Sequence, residues 1–144
     1  FNREGVQHVF HAGDIVSPFA VLCFRPLQAG LHIVWGNNDG DKPLLTQRIG
    51  EMKADIYGSF METRIDGRRI AMVHGVDEAI VDALAECGRY DLVIRGHTHR
   101  PVTNLKNETL TINPGASSGY LAQNRTIATV NLETMEAEIK ILDT

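Results

Sequence analysis

Apolar residues fall along the first part of the chain in short runs, each closed by a polar or glycine-rich turn. Residues 6–10 read as a strand that ends in His11-Ala12-Gly13-Asp14. Ser17-Pro18 offers a helix start, with Ser as N-cap and Pro at the first position, followed by Phe19, Leu22 and Cys23. Pro26 closes that helix. Residues 31–35 form the next strand and run into Gly36-Asn37-Asn38-Asp39-Gly40. Leu44, Leu45, Arg48 and Ile49 predict a short helix after Pro43. Asp66-Gly67, between residues 59–65 and 69–73, is a strong hairpin signal. Ile80, Val81, Leu84 and Ala85 make a helical stripe from Asp77, its cap, to Gly88. Residues 91–95 read as a buried strand delivering Gly96-His97-Thr98-His99. The remainder reads as β: 102–105, 109–113, 125–132 and 137–142.

Strands and helices alternate first, and hairpins follow. Such an order suits an α/β fold of layered sheets with helices outside. The polar clusters come after strands, at Asp14, Asn37, His74 and His97/His99. In open α/β sheets ligands bind beyond the carboxyl ends of the strands. One site therefore suffices to explain all four clusters.

Composition narrows the partners. The 144 residues are read as one domain, with 43% hydrophobic and 22% charged residues, ordinary globular values. A net charge of -4 provides no basic stripe, which disfavours nucleic acid as a partner, although a nucleotide-derived diester stays compatible. Cys23 and Cys87 lie far apart and form no CxxC pair, as in a reduced cytoplasmic protein. No apolar stretch is long enough for a membrane span. Residues 1–5 read as the last turn of a helix closed by glycine, so the domain is expected to be N-terminally incomplete.

Each candidate has a bland explanation when taken alone. Gly13-Asp14 is a turn or a cap, and Gly36-Asn37-Asn38-Asp39-Gly40 is a turn of residues that tolerate left-handed backbone. His74 suits a satisfied strand-end histidine, and histidines can merely serve core polar groups. His97 and His99, two apart on extended backbone, project to one side, as two ligands of one metal cluster would. Taken together, the segments supply oxygen and imidazole donors of the kind that bind Mn, Fe, Zn or Ni.

This ordered set resembles the motifs of the calcineurin-like metallophosphoesterases, nearest to the small bacterial and archaeal phosphodiesterases. The resemblance runs from residue 6 to about residue 120 and includes Asn113-Pro114-Gly115-Ala116-Ser117, similar to the family's NPGS segment. It implies a four-layer α/β/β/α sandwich of two mixed sheets, here with its first strand missing. It implies Asp14 as the carboxylate bridging two divalent ions, with Asn37, His74 and His97 as further ligands of one ion. His99 then serves the other ion, whose remaining ligands come in the family from an N-terminal D-x-H motif that this sequence does not contain. If the natural protein has that strand, a complete binuclear centre is expected; otherwise the second site is weak. Two ions about 3.5–4 Å apart hold a bridging hydroxide and clamp the phosphoryl oxygens for in-line attack.

The resemblance also places Asn38 and Asp39 at catalytic positions. Larger relatives carry a histidine at the place of Asn38; a neutral amide is no general acid, which points to diesters or activated esters. Asp39 is expected to orient the loop. His11 matches no ligand and suits support behind one; His8 and His32 read as structural or surface residues. Arg95 and Arg100 either hold an anionic substrate or are plain strand-end charges, and Ser117, Ser118 and the turn at 113–115 shape the rim. The expected substrate is a small-molecule phosphate ester. The alternative is a phosphoesterase-like scaffold for protein–protein interaction, as in the retromer subunit of this fold. Such relatives tend to lose imidazole ligands, whereas His74, His97 and His99 are all present here.

Overall fold

In the computed structural model, which describes residues 1–142, the first residues make a 3-10 turn over Asn2–Glu4 that Gly5 closes in the left-handed region. Strand β1 (His8–His11), a 3-10 segment (Ala20–Phe24), β2 (Gly30–Ile33), α1 (Lys42–Gly50) and β3 (Ala54–Ile56) follow. Next come β4 (Phe60–Ile65), β5 (Arg68–Val73), α2 (Glu78–Glu86) and β6 (Leu92–Ile94). The chain ends in two hairpins, β7 (Val102–Lys106) with β8 (Thr109–Asn113), and β9 (Thr126–Asn131) with β10 (Glu136–Ile141).

Local chemistry accounts for most of these boundaries. Asp66 (φ 49°) and Gly67 (φ 82°) both take positive φ, the conformation a tight β4–β5 turn requires. Asp41 caps α1 by accepting the N–H of Leu44 at 3.1 Å, and Asp77 caps α2 by accepting that of Ala79 at 3.0 Å. The helix expected from Ser17-Pro18 is instead the 3-10 segment, which begins later. Ser17 Oγ accepts only the N–H of Phe19, at 3.2 Å, and Pro26 leaves too little chain to propagate an α-helix. Strand β3 carries no pattern in the sequence, because three residues cannot display a period.

Three strand assemblies make two layers. Strands β1, β2 and β3 run parallel in that order. A mixed sheet, β4-β5-β6-β8-β7, has a parallel centre and antiparallel edges. Among the described residues the β9–β10 hairpin joins neither. Val34, Met61, Ile70, Met72, Leu92, Ile94, Leu110 and Ile112 form the core between the layers. Phe10 and Ala12 pack onto it from the β1 side, and Ala128, Val130 and Ala137 from the hairpin. The hairpin and the parallel sheet therefore cover the same face of the mixed sheet. A groove of about 1330 Å³ runs between them, with His8 and Phe10 on one wall and Ala128 and Val130 on the other.

Helix α1 and the 3-10 segment cover the outside of the parallel sheet, where Val21, Leu31, Ile33, Leu45 and Ile49 are buried. Tyr90, Ala71 and Val93 form a smaller cluster outside the mixed sheet, with Leu84 of α2 packed on it. The layers thus run α/β/β/α. Each fully buried Leu or Ile contributes about 1.5–3 kcal/mol, so these clusters hold the strand ends in place. No helix among the described residues is long and apolar enough to cross a membrane.

Candidate metal centre

Strands β1 and β2 are parallel, as are β5 and β6, so their carboxyl ends meet on one edge of the sandwich. The turns leaving those ends carry the polar clusters. Asp14 (φ 60°), His97 (φ 65°) and His99 (φ 57°) all lie in the left-handed region, which non-glycine residues rarely adopt. Strain of this kind, about 1–3 kcal/mol per residue, collects where side chains must be aimed. Glycine makes the crossing of the two loops possible. A Cβ on Gly36 would sit 2.1 Å from Asp14 Oδ1, and one on Gly13 would sit 2.5 Å from the Gly36 nitrogen.

His74 is buried at the end of β5. Its Nδ1–H donates to the Ala12 carbonyl at 2.6 Å, which fixes the tautomer and leaves Nε2 with a lone pair. That Nε2 lies 2.9 Å from Asn37 Oδ1, 3.3 Å from Asp14 Oδ2 and 3.3 Å from His97 Nδ1. His97 Nδ1 lies 3.1 Å from Asn37 Oδ1. Ligands about 2.1 Å from a cation stand about 3.0 Å apart in an octahedron and about 3.4 Å apart in a tetrahedron. The observed separations, 2.9–3.3 Å, lie within that interval or about 0.1 Å short of it. An amide oxygen, a carboxylate oxygen and two imidazoles facing one another also concentrate lone pairs, an arrangement that a cation relieves. Among the described residues no group of three His, Cys, Asp or Glu side chains converges in this way without help. Asn37 completes the set.

Asn38 grips the Asp14 carboxylate, and Asp39 holds the loops together. Asn38 donates its backbone N–H to Asp14 Oδ1 at 2.8 Å and its side-chain amide to Oδ2 at 2.9 Å. Burial pushes the Asp14 carboxyl up, but these two hydrogen bonds, with His74 and His97 nearby, outweigh it and hold the group below its ordinary value. The buried Asp39 carboxylate accepts three backbone N–H groups, from Gly36 at 2.7 Å, Val16 at 2.9 Å and Asp14 at 3.1 Å. It ties the loop after β1 to the loop after β2.

His99 stands apart from the His74 group. The backbone at His97 and His99 is left-handed, not extended, so the alternation of an extended strand is not what aims these two side chains. Its Nδ1–H donates to the Tyr120 carbonyl at 2.9 Å, which leaves Nε2 open. His11 lies behind the site with no hydrogen-bond partner for Nδ1. Burial lowers its pKa against the opposing pull of Asp39 and Asp14. Arg95 is engaged within the fold: it is buried, ion-paired with Glu78, and donates to the Gly75 carbonyl at 2.9 Å. Arg100 is exposed and makes no ion pair among the described residues. His8 and His32 form a chain with Tyr57 between the layers, at 3.0 and 3.1 Å.

Asn113 is the residue whose part the sequence concealed. Fully buried at the end of β8, it donates to the Gly96 carbonyl at 2.8 Å and to Thr98 Oγ1 at 2.9 Å. Its own Oδ1 accepts the Gly115 N–H at 3.0 Å. It thereby braces the loop that carries His97. The Asn-Pro-Gly turn was the signal for it, but as a rim feature only.

Residues 1–135 match the calcineurin-like phosphoesterase superfamily domain. The chain belongs to that family. This calcineurin-like phosphoesterase is 34% identical to a phosphodiesterase of Methanocaldococcus jannaschii, over 99% of its own length and 87% of the relative's. A solved archaeal phosphodiesterase matches 99% of this chain, and 87% of its own, at TM-score 0.93 and 34% identity. Vacuolar protein sorting 29 of Cryptosporidium parvum shares the fold more loosely. It has TM-score 0.65 and 18% identity, with 95% of this chain and 81% of that one covered.

Proposed function

We propose that this phosphoesterase is a metal-dependent phosphodiesterase, working as a single cytoplasmic domain on a small-molecule phosphate ester. The observation that carries the reading is the convergence of Asp14, Asn37, His74 and His97, with donor separations of 2.9–3.3 Å, where four strands end. The 34% identity to archaeal phosphodiesterase, in sequence and in solved structure, supports the same reaction class. The sorting-protein relative, at 18% identity, speaks for the fold alone, and the intact imidazole set favours hydrolysis over a scaffold role.

In this reading the four donors would hold one divalent ion, of Mn, Ni, Fe or Zn type, and Asp14 and His99 would serve a second where the natural protein supplies the N-terminal strand. A divalent cation held there supplies Lewis acidity to a phosphoryl oxygen and makes water a usable nucleophile near neutral pH. The chain's own work is positioning. Asn38 keeps both Asp14 oxygens in place, Asp39 fixes the two loops, and Asn113 fixes the loop of His97. Asn38 is a neutral amide and no general acid, so the reading favours diesters with good leaving groups.

Hydrolysis of bis(4-nitrophenyl) phosphate by the purified chain tests it. Turnover should appear with added Mn²⁺, vanish on chelation and return when the ion is restored. Turnover indifferent to chelation, or none with the ion bound, would contradict the reading.

A further inference from the structure

His74 ends β5 and His97 follows β6, so the spacing of the two imidazoles depends on what ties their turns together. The pair Arg95-Gly96, directly before His97, makes that tie. The Gly96 N–H donates to the His74 carbonyl at 3.0 Å, and Arg95 Nη2–H donates to the next carbonyl, that of Gly75, at 2.9 Å. Two successive carbonyls of the His74 turn are thus held by the residues that lead into the His97 turn. The Arg95 backbone N–H is itself bonded to the Ile112 carbonyl of β8 at 2.9 Å, which anchors it to an inner strand of the mixed sheet.

The guanidinium also spans the connection from β5 to α2. Nη2 holds Gly75 at its start, and Nη1 pairs with Glu78, the first residue of α2, at its end. The Arg95 side chain is 8% exposed, whereas that of Glu78 is 59% exposed. Burying a charge is costly unless it is paired and hydrogen-bonded, and the two ends of one connection meet both conditions here. The backbone is shaped to the side chain as well. Gly75 takes φ 89°, and a Cβ there would lie 3.1 Å from Arg95 Nε. A planar fork can hold a carbonyl and a carboxylate together in fixed geometry, which the point charge of a lysine does not do.

We propose that Arg95 is a positioning residue of the metal site, clamping the His74 turn to the His97 turn, and that Glu78 acts on the site from the surface through it. The inference rests on the metal-dependent reading above and adds the residues that set the spacing of its imidazoles. Titration calorimetry with Mn²⁺ on the full chain tests it, using Arg95→Met, Glu78→Ala and the double variant. Arg95→Met should raise the Mn²⁺ dissociation constant about 10–100-fold, the usual cost of losing a group that orients a metal ligand. Glu78→Ala changes an exposed side chain, yet it should raise the constant at least about twofold, the lower end of coupling within one ion-pair network. In the Arg95→Met background Glu78→Ala should change nothing further, whereas a direct pull of the Glu78 charge on the ion would persist there. An Mn²⁺ affinity unchanged in folded Arg95→Met or in Glu78→Ala, or an equal loss from Glu78→Ala with and without Arg95, overturns the clamp. The readout is affinity rather than turnover, so a wild type that binds Mn²⁺ without hydrolysing the diester contradicts the phosphodiesterase reading and not the clamp. A wild type that binds no Mn²⁺ overturns both.

Discussion

Asn38 grips Asp14 with two donors at once, its backbone N–H on Oδ1 and its side-chain amide on Oδ2, at 2.8 and 2.9 Å. A ligand carboxylate on a left-handed turn would otherwise be free to rotate. Asn38→Ala removes one of the two contacts from an exposed position and should leave the melting temperature nearly unchanged. Activity should fall about 10–100-fold, the usual loss when a partner of a metal ligand is removed. Steady-state kinetics on the diester checks this; full activity would show that Asp14 needs no such support.

Asp39 is predicted to matter to both stability and activity. Its two oxygens accept three backbone N–H groups from two loops, and an amide has only one oxygen to offer. Asp39→Asn therefore turns an NH₂ group toward at least one of those donors. Leaving a buried donor unpaired costs about 1–3 kcal/mol, and a displacement of Asp14 of about 1 Å costs about a hundredfold in rate. Chemical denaturation and kcat measured on the same preparation test both effects. Loss of stability without loss of rate would limit Asp39 to folding.

Far from the site, Asp91 gives a pH-dependent prediction. Its Oδ2 accepts the Arg69 backbone N–H at 2.7 Å, which lowers the carboxyl pKa against the upward push of burial, and the Arg69 side chain adds to the effect. A carboxyl with a lower pKa in the folded chain stabilises it above the unfolded value of about 3.9, and this is lost as pH falls through the folded value. Wild type should exceed Asp91→Asn by about 1 kcal/mol at pH 7, and the difference should shrink below about pH 4. Urea melts at the two pH values decide it; a gap independent of pH would rule out the carboxylate as its source.

The sequence was legible where a residue acts through its own type and local spacing. Asp66-Gly67 announces its turn, and Asp77 its helix. The four strand-end clusters each read as polar residues after an apolar run, and the family resemblance singles out Asp14, Asn37, His74 and His97 among them. Contacts between segments far apart in the chain were not legible. Nothing near Asn113 reveals that its amide reaches Gly96 and Thr98. Arg95 reads as a strand-end charge, yet tertiary packing buries it against Gly75 and Glu78. The left-handed backbone at His97 and His99 was hidden for a different reason: histidine takes positive φ more often than most residues, yet rarely enough that its presence does not announce it.

The central claim is that Asp14, Asn37, His74 and His97 form one metal site, and titration calorimetry with Mn²⁺ tests it most directly. Wild type should bind the ion, and His74→Ala, which deletes the donor common to most of the short contacts, should weaken binding by two orders of magnitude or more with diester hydrolysis falling in step. Unchanged Mn²⁺ affinity in the folded His74→Ala protein would contradict the account.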